Sequence, residues 1–174
     1  MNTKPKFAFA ILALIGTLTP IKSASASPTT SAGVLATFEG RTIDLSKGWG
    51  SATACSTDGV NTTCYRSAHQ MATAQSVPAV ALAASVCIPS VNLYSGTKFT
   101  GLVLNINSHG GPTALSQYGF DNITSSYAIG YCDAVFYDGT TNTSSVYPGP
   151  TTAYSSATSM LTGWDNRISS ITIS

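Results

Sequence analysis

The sequence predicts an all-β fold: two repeated β units, preceded by a small disulfide-bonded hairpin and a short helix. Three observations predict it. Hydrophobic residues make up 43% of the 174 residues and charged ones only 9%, against roughly 25% charged in an average soluble domain, and Ser, Thr, Gly and Asn fill the gaps. From Val86 onward, short runs rich in β-branched and aromatic residues alternate with Gly, Asn, Asp and Pro. The same half of the chain also repeats when laid on itself.

The charge poverty excludes some partners. Eight Lys plus Arg stand against seven Asp plus Glu, with no basic stripe of the kind a phosphate backbone needs, so nucleic acid is excluded as a partner. No block of like charge exists that would keep the chain unfolded.

Residues 1–26 read as a secretory signal peptide: Lys4 and Lys6 precede an apolar run from Phe7 to Leu18, and Ala24-Ser25-Ala26 supplies the small-x-small cleavage pattern. Cleavage after Ala26 removes Lys4, Lys6 and Lys22 and no acid, so eight basic residues become five against seven acids and the net charge becomes −2. The longest later apolar stretch, Ala79 to Ile88, is too short to span a bilayer. The mature chain is therefore expected to be secreted, free of the membrane, and monomeric.

Residues 27–33 form a flexible leader, 34–85 a hairpin and helix region, and 86–174 the repeated β domain. Within the first region, Ala36 to Leu45 reads as strand, turn and strand around Glu39-Gly40, and Ser51 to Arg66 as a second hairpin whose turn is Asp58-Gly59. Ser67-Ala-His-Gln70 has capping-box spacing, which starts a short helix near Ala68. Ser76 to Ser85, rich in small apolar residues, is a packing connector. In the second region, strands are expected over Val86–Tyr94, Gly101–Ile106, Tyr127–Phe136 and Ile168–Ile173.

Cys55, Cys64, Cys87 and Cys132 form an even set in an exported chain, which favours two disulfides. Three pairings are possible. Cys55 with Cys64 is favoured because the pair flanks the Asp58-Gly59 turn. Cys87 with Cys132 is favoured because the two precede equivalent aromatic turns of the repeat, by seven and five residues.

The repeat is specific. Tyr94-Ser-Gly-Thr corresponds to Tyr137-Asp-Gly-Thr; Asp121-Asn-Ile-Thr-Ser-Ser126 follows the first tyrosine by 27 residues, and Asp165-Asn-Arg-Ile-Ser-Ser170 follows the second by 28. Each Asp-Asn-x-x-Ser-Ser segment gathers a carboxylate, an amide carbonyl and two hydroxyls. Oxygen-only sets suit Ca²⁺, which takes six to eight ligands in flexible geometry, and suit Zn²⁺ or copper poorly.

These residues resemble the βγ-crystallin superfamily, whose unit is a Greek key with an aromatic-x4-aromatic-x-Gly corner and, in calcium-binding members, an (Asn/Asp)-(Asn/Asp)-x-x-(Ser/Thr)-Ser motif. Tyr94, Phe99 and Gly101 match the first corner and both calcium motifs match in full, whereas Asn142 and Ser144 stand where the second aromatic and glycine of the second corner belong. The resemblance implies a sandwich of two Greek keys with two Ca²⁺ ions at one end, each drawing ligands from both keys. It assigns hydroxyl oxygens to Ser125 and Ser169, main-chain carbonyls to Ile123 and Arg167, amide oxygens to Asn122 and Asn166, and charge or ligand-holding to Asp121 and Asp165. With one carboxylate per motif, affinities on the order of 10⁻⁴ M are expected, the range of extracellular modules.

The sequence argues against an enzyme. His109-Gly110-Gly111 lacks the Gly-x-Ser-x-Gly elbow of an α/β-hydrolase, the two histidines, His69 and His109, assemble no triad, and Glu39 is the single glutamate. Structural or stress-related calcium binding is the first functional reading. A secreted peptidase inhibitor is the second, because a branch of the resembled family inhibits metalloproteinases, and Ser108–Pro112 or the Cys55–Cys64 hairpin offers a loop. A carbohydrate- or wall-binding module is the third, carried by the Tyr-rich segment around Tyr147 and Tyr154 and by Trp49 in a Gly-flanked turn, where that ring is either an exposed contact or packed against the sandwich. Trp164 and Phe120, which precede the two motifs, are expected to cap the core.

Overall fold

The computed structural model describes residues 32–75, 90–141 and 143–174. The signal peptide, nearly all of the leader, the 76–85 connector, Cys87 and Asn142 lie outside the described residues.

Strands β1 (Leu35–Phe38) and β2 (Arg41–Asp44) pair antiparallel through a two-residue turn. Glu39 and Gly40 both take positive φ, 49° and 75°, the backbone of a type I′ turn whose twist matches the flanking strands. Strands β3 (Ala54–Thr57) and β4 (Thr62–Tyr65) form the second hairpin, in which Cys55 stands opposite Cys64 and the two are joined by a disulfide. Helix α1 (Ala68–Ala74) follows. The Ser67 hydroxyl accepts the N–H of Gln70, an orphaned donor of the first turn, and the Gln70 side chain reaches back to accept the N–H of Arg66, just ahead of the cap.

The second half supplies β5 (Val91–Gly96), β6 (Thr100–Ile106), β7 (Gly110–Ala114), β8 (Ser126–Ile129), β9 (Ala134–Tyr137), β10 (Ser156–Ala157) and β11 (Ser170–Ile173). One sheet has the order β10-β8-β5-β6-β3-β4-β1-β2 and the other β7-β11-β9. The first repeat comprises β5 to β8; the second comprises β9, a bridge at Val146, β10 and β11. Each repeat lends its third strand to the other's sheet: β7 pairs with β11, and β10 pairs with β8. That exchange makes the all-β fold a sandwich of two Greek keys. The N-terminal hairpins extend the larger sheet, because β3 lies parallel to β6 from Ala54 opposite Val103 to Thr57 opposite Ile106.

Leu93, Leu104, Phe120, Tyr127, Phe136 and Ile171 are fully buried between the sheets, and Ala36, Leu45, Trp49 and Cys55 from the N-terminal region join the same core. At the first corner, Tyr94 and Phe99 meet edge to face at 5.4 Å. Gly101 has φ 81° and passes so close to the opposite arm that a Cβ there would lie 2.4 Å from Ser95 Oγ, so only glycine lets this hairpin fold back. The second corner closes by other means. Asp138 N–H donates to Ser145 O, and the Ser144 hydroxyl donates to Thr141 O at 2.7 Å while its side chain fills the space above Gly139.

Two expectations need correction. The run Tyr127–Phe136 is two strands, β8 and β9, in different sheets; the chain crosses between sheets at residues 130–133, where Gly130 N–H is tied to Ser90 O at 2.6 Å. Strand β7 was hidden by its composition, Gly-Gly-Pro-Thr-Ala, which places part of the Ser108–Pro112 loop in a sheet. Of the two readings of Trp49, the packed one holds: it is 5% exposed, its indole N–H donates to Tyr118 O at 2.7 Å and its ring lies 5.6 Å from Phe120. An amphipathic ring whose polar edge finds a carbonyl is stable in a core.

Cys132 is disulfide-bonded. Among the described residues no helix is long and apolar enough to cross a membrane.

Candidate metal centre

The two Asp-Asn-x-x-Ser-Ser segments meet. Each begins in the turn before a strand and runs into it, β8 for the first and β11 for the second. The second residue of each, Asn122 and Asn166, takes the left-handed conformation, with φ of 56° and 55°. Asn is among the few non-glycine residues that adopt it readily. This bend turns each motif toward the other. Asn122 N–H donates to Ile168 O and Asn166 N–H to Thr124 O, both at 3.0 Å.

The same two-fold correspondence runs through the rest of the segment. Ser125 N–H donates to Tyr94 O and Ser169 N–H to Tyr137 O, each at 2.8 Å. The Ser125 carbonyl accepts Met160 N–H and the Ser169 carbonyl accepts Leu115 N–H, each at 2.9 Å. The final serines fasten the motifs to the corners, with Ser126 Oγ donating to Gly96 O at 2.6 Å and Ser170 Oγ to Gly139 O at 2.5 Å. The first serine of each pair is thus free to serve the site while the second is spent on the scaffold.

Side-chain oxygens from the two motifs come together in two pairs. Ser125 Oγ lies 3.3 Å from Asn166 Oδ1, and Ser169 Oγ lies 3.3 Å from Asn122 Oδ1. That spacing is long for an O–H···O bond, whose usual length is about 2.7–2.8 Å. It suits neighbouring oxygens around one calcium, since bonds of about 2.3–2.6 Å at nearly right angles place two ligands roughly 3.3–3.7 Å apart. Among the described residues, no donor is hydrogen-bonded to the carbonyl of Ile123 or of Arg167, so both oxygens are available.

Asp121 and Asp165 hold the asparagines: Asn122 Nδ2 donates to Asp121 Oδ2 at 3.2 Å and Asn166 Nδ2 to Asp165 Oδ2 at 3.4 Å. This fixes each amide with its oxygen turned to the other motif. The two sites are unequal in surroundings. Among the described residues Asp121 Oδ1 is buried without a hydrogen-bond partner, as is Thr124 Oγ1, whereas Asp165 is exposed. A buried carboxylate oxygen without a donor is rare and calls for a compensating positive charge. Arg167 does not supply it: its guanidinium pairs with Asp138 at 2.7 Å and lies 5.0 Å over the Trp164 ring, which leaves only its carbonyl for the site.

All eight residues that the sequence marked for the metal lie in these two interlocked turns. Trp164 is half-buried against Tyr147 at 5.4 Å, and Phe120 is fully buried beneath the first turn. The sequence did not mark Thr124, and nothing in its pattern separates that residue from a spacer. His69 is on α1 and His109 precedes β7, and no group of three His, Cys, Asp or Glu suited to a metal occurs among the described residues. Oxygen donors, mostly neutral, define the chemistry here.

Fold and site together describe a two-Greek-key sandwich with a paired-motif turn at its end. No family model and no curated protein matches the chain. Among solved structures, it is similar to a βγ-crystallin from Ciona intestinalis at 18% identity, over 49% of this chain and 99% of that one, with a TM-score of 0.43. An archaeal βγ-crystallin matches at 18% identity over 49% of this chain and 98% of its own, with a TM-score of 0.38. A βγ-crystallin domain from Flavobacterium johnsoniae matches at 20% identity over 48% and 92%, with a TM-score of 0.37.

Proposed function

We propose that the protein is secreted and binds two Ca²⁺ ions at the interlocked motifs, and that the bound ions serve its structure instead of a reaction. The observation that carries the reading is the reciprocal pairing of Ser125 with Asn166 and of Ser169 with Asn122, oxygen to oxygen, beside a buried Asp121 oxygen that no donor among the described residues satisfies. One ion would take oxygens of Asn122 and Ser169 and the other those of Asn166 and Ser125, with the Ile123 and Arg167 carbonyls and the Asp121 carboxylate completing the sets. A divalent cation supplies the positive charge that this oxygen-lined turn lacks. The protein's part is to hold the turns in register through the cross-bonds and the serine latches.

A ligand that binds only the folded chain stabilises it by mass action. At calcium a hundredfold above the dissociation constant, each site would add about 2.7 kcal/mol. For a chain of this size that raises the melting temperature by roughly 5–10 °C. Thermal melts in excess Ca²⁺ and then in EDTA measure it directly. Equal melting temperatures in the two would remove calcium from the account.

A further inference from the structure

Away from the metal centre, two aromatic side chains are held out into solvent. Tyr154 is 73% exposed and Tyr131 48%, and their rings meet edge to face at 5.4 Å, forming a corner. The segments that carry them are tightly tied. Tyr154 N–H donates to Gly130 O, Ala153 N–H to Asp133 Oδ1, and Ile129 N–H to Ser155 O, all within 2.7–2.8 Å. Tyr131 also precedes the disulfide-bonded Cys132. Tyr154 keeps a left-handed backbone, φ 62°, which a bulky side chain adopts only at a cost that glycine avoids. The ring is therefore presented on a rigid base, against both solvation and backbone preference.

The segments that carry the two rings are poor in charge, and this bears on what such a corner would hold. From Asn122 to Cys132, and from Gly139 to Trp164, the chain contains no Asp, Glu, Lys, Arg or His, and Ser and Thr predominate. The nearby Asp133 has its carboxylate engaged by Ala153. A nucleic acid would require cations here, and a charged peptide would require opposite charges. A sugar ring requires neither: its C–H face packs on an aromatic face, and its hydroxyls are uncharged. Tyrosine suits this role, offering a large amphipathic surface with little side-chain entropy to lose.

We propose that Tyr131 and Tyr154 form a binding site for an uncharged polysaccharide chain, independent of the metal centre. The test is retention of the mature protein on insoluble cellulose, chitin and starch granules, measured by depletion from the supernatant, with the matching soluble oligosaccharides as competitors. Retention on at least one, undiminished by high salt or EDTA and reversed by its own oligosaccharide, is the expected result; which polymer retains it identifies the source. Tyr154→Gly removes the ring while relieving the backbone, so folding is preserved, and it should weaken retention about tenfold, as should Tyr131→Ala. Tyr154→Phe should bind like the parent. No retention on any of the three polymers, loss of retention in EDTA, or full retention by the double variant Tyr131→Ala/Tyr154→Gly would overturn the proposal.

Discussion

Asn122 and Asn166 show how much one residue type is asked to do at this site. The same residue tolerates a left-handed backbone, donates through its amide nitrogen to a carboxylate and turns its oxygen to the opposite serine. Substitutions at Asn166 separate these roles. Asn166→Gly keeps the backbone and removes the oxygen, so its melting temperature in EDTA should stay near the parent's while the rise on adding calcium falls by about half. Asn166→Ala should lose the oxygen and also about 1–2 kcal/mol of intrinsic stability. Calcium titrations followed by melts distinguish the two. Asp58 offers a pH test at the same scale. Its carboxylate accepts the N–H of Asn61 at 2.6 Å and of Val60 at 2.8 Å, and these bonds, Asn61's foremost, hold its pKa below the usual 3.8. A carboxylate held low in the folded state contributes above its unfolded pKa, and the contribution is lost as pH falls through the folded one. The Val60 and Asn61 amide signals should therefore titrate with a midpoint below 3.8; a midpoint at or above that value would refute the turn's account. Single residues were legible in the sequence where their chemistry is local. The Asp58 turn was, and the partner of the Trp49 indole was not, because that acceptor lies 69 residues away.

Elements with local punctuation were read with little error. The Glu39-Gly40 turn, the Asp58-Gly59 turn and the Ser67 cap each satisfy backbone groups within a few residues, so their spacing is visible without the fold. Ser67→Ala tests the cap: losing its bond to Gln70 should cost about 1 kcal/mol and lower the melting temperature by roughly 2–4 °C. An unchanged melting temperature would mean the reciprocal Gln70 bond suffices. Strands β7 and β10 were illegible for the opposite reason. Gly110–Ala114 and Ser156–Ala157 have little β character of their own, and pair only because β11 and β8 offer them unfilled edges. The split of Tyr127–Phe136 into β8 and β9 likewise depends on which sheet each end joins. The second corner shows the same limit, since a serine hydrogen bond to Thr141 does work for which the first corner uses an aromatic and a glycine.

On the scale of the whole molecule, residues 32–75 are built into the larger sheet. Strand β3 lies along β6, and the segment Leu45–Trp49 packs on Leu115–Phe120, just ahead of the first motif. Gly119 shows how close that packing is: a Cβ there would lie 2.3 Å from Leu45 O. The parallel pairing of β3 with β6 joins positions about fifty residues apart, which no periodicity in the sequence announces. The exchange of β7 and β10 carries a further consequence. Neither repeat owns a full set of strands, so a chain ending at Asp133 keeps a β7 with no sheet to join and a β8 with one side bare. Such a fragment can complete itself only from a second molecule, by laying its β7 where β10 should be. Size-exclusion chromatography with light scattering should find it dimeric when folded and progressively unfolded on dilution; a folded monomer would show that the first repeat stands without the exchanged strand. For the first repeat taken alone, folding becomes a second-order process, and concentration stands in for the missing half.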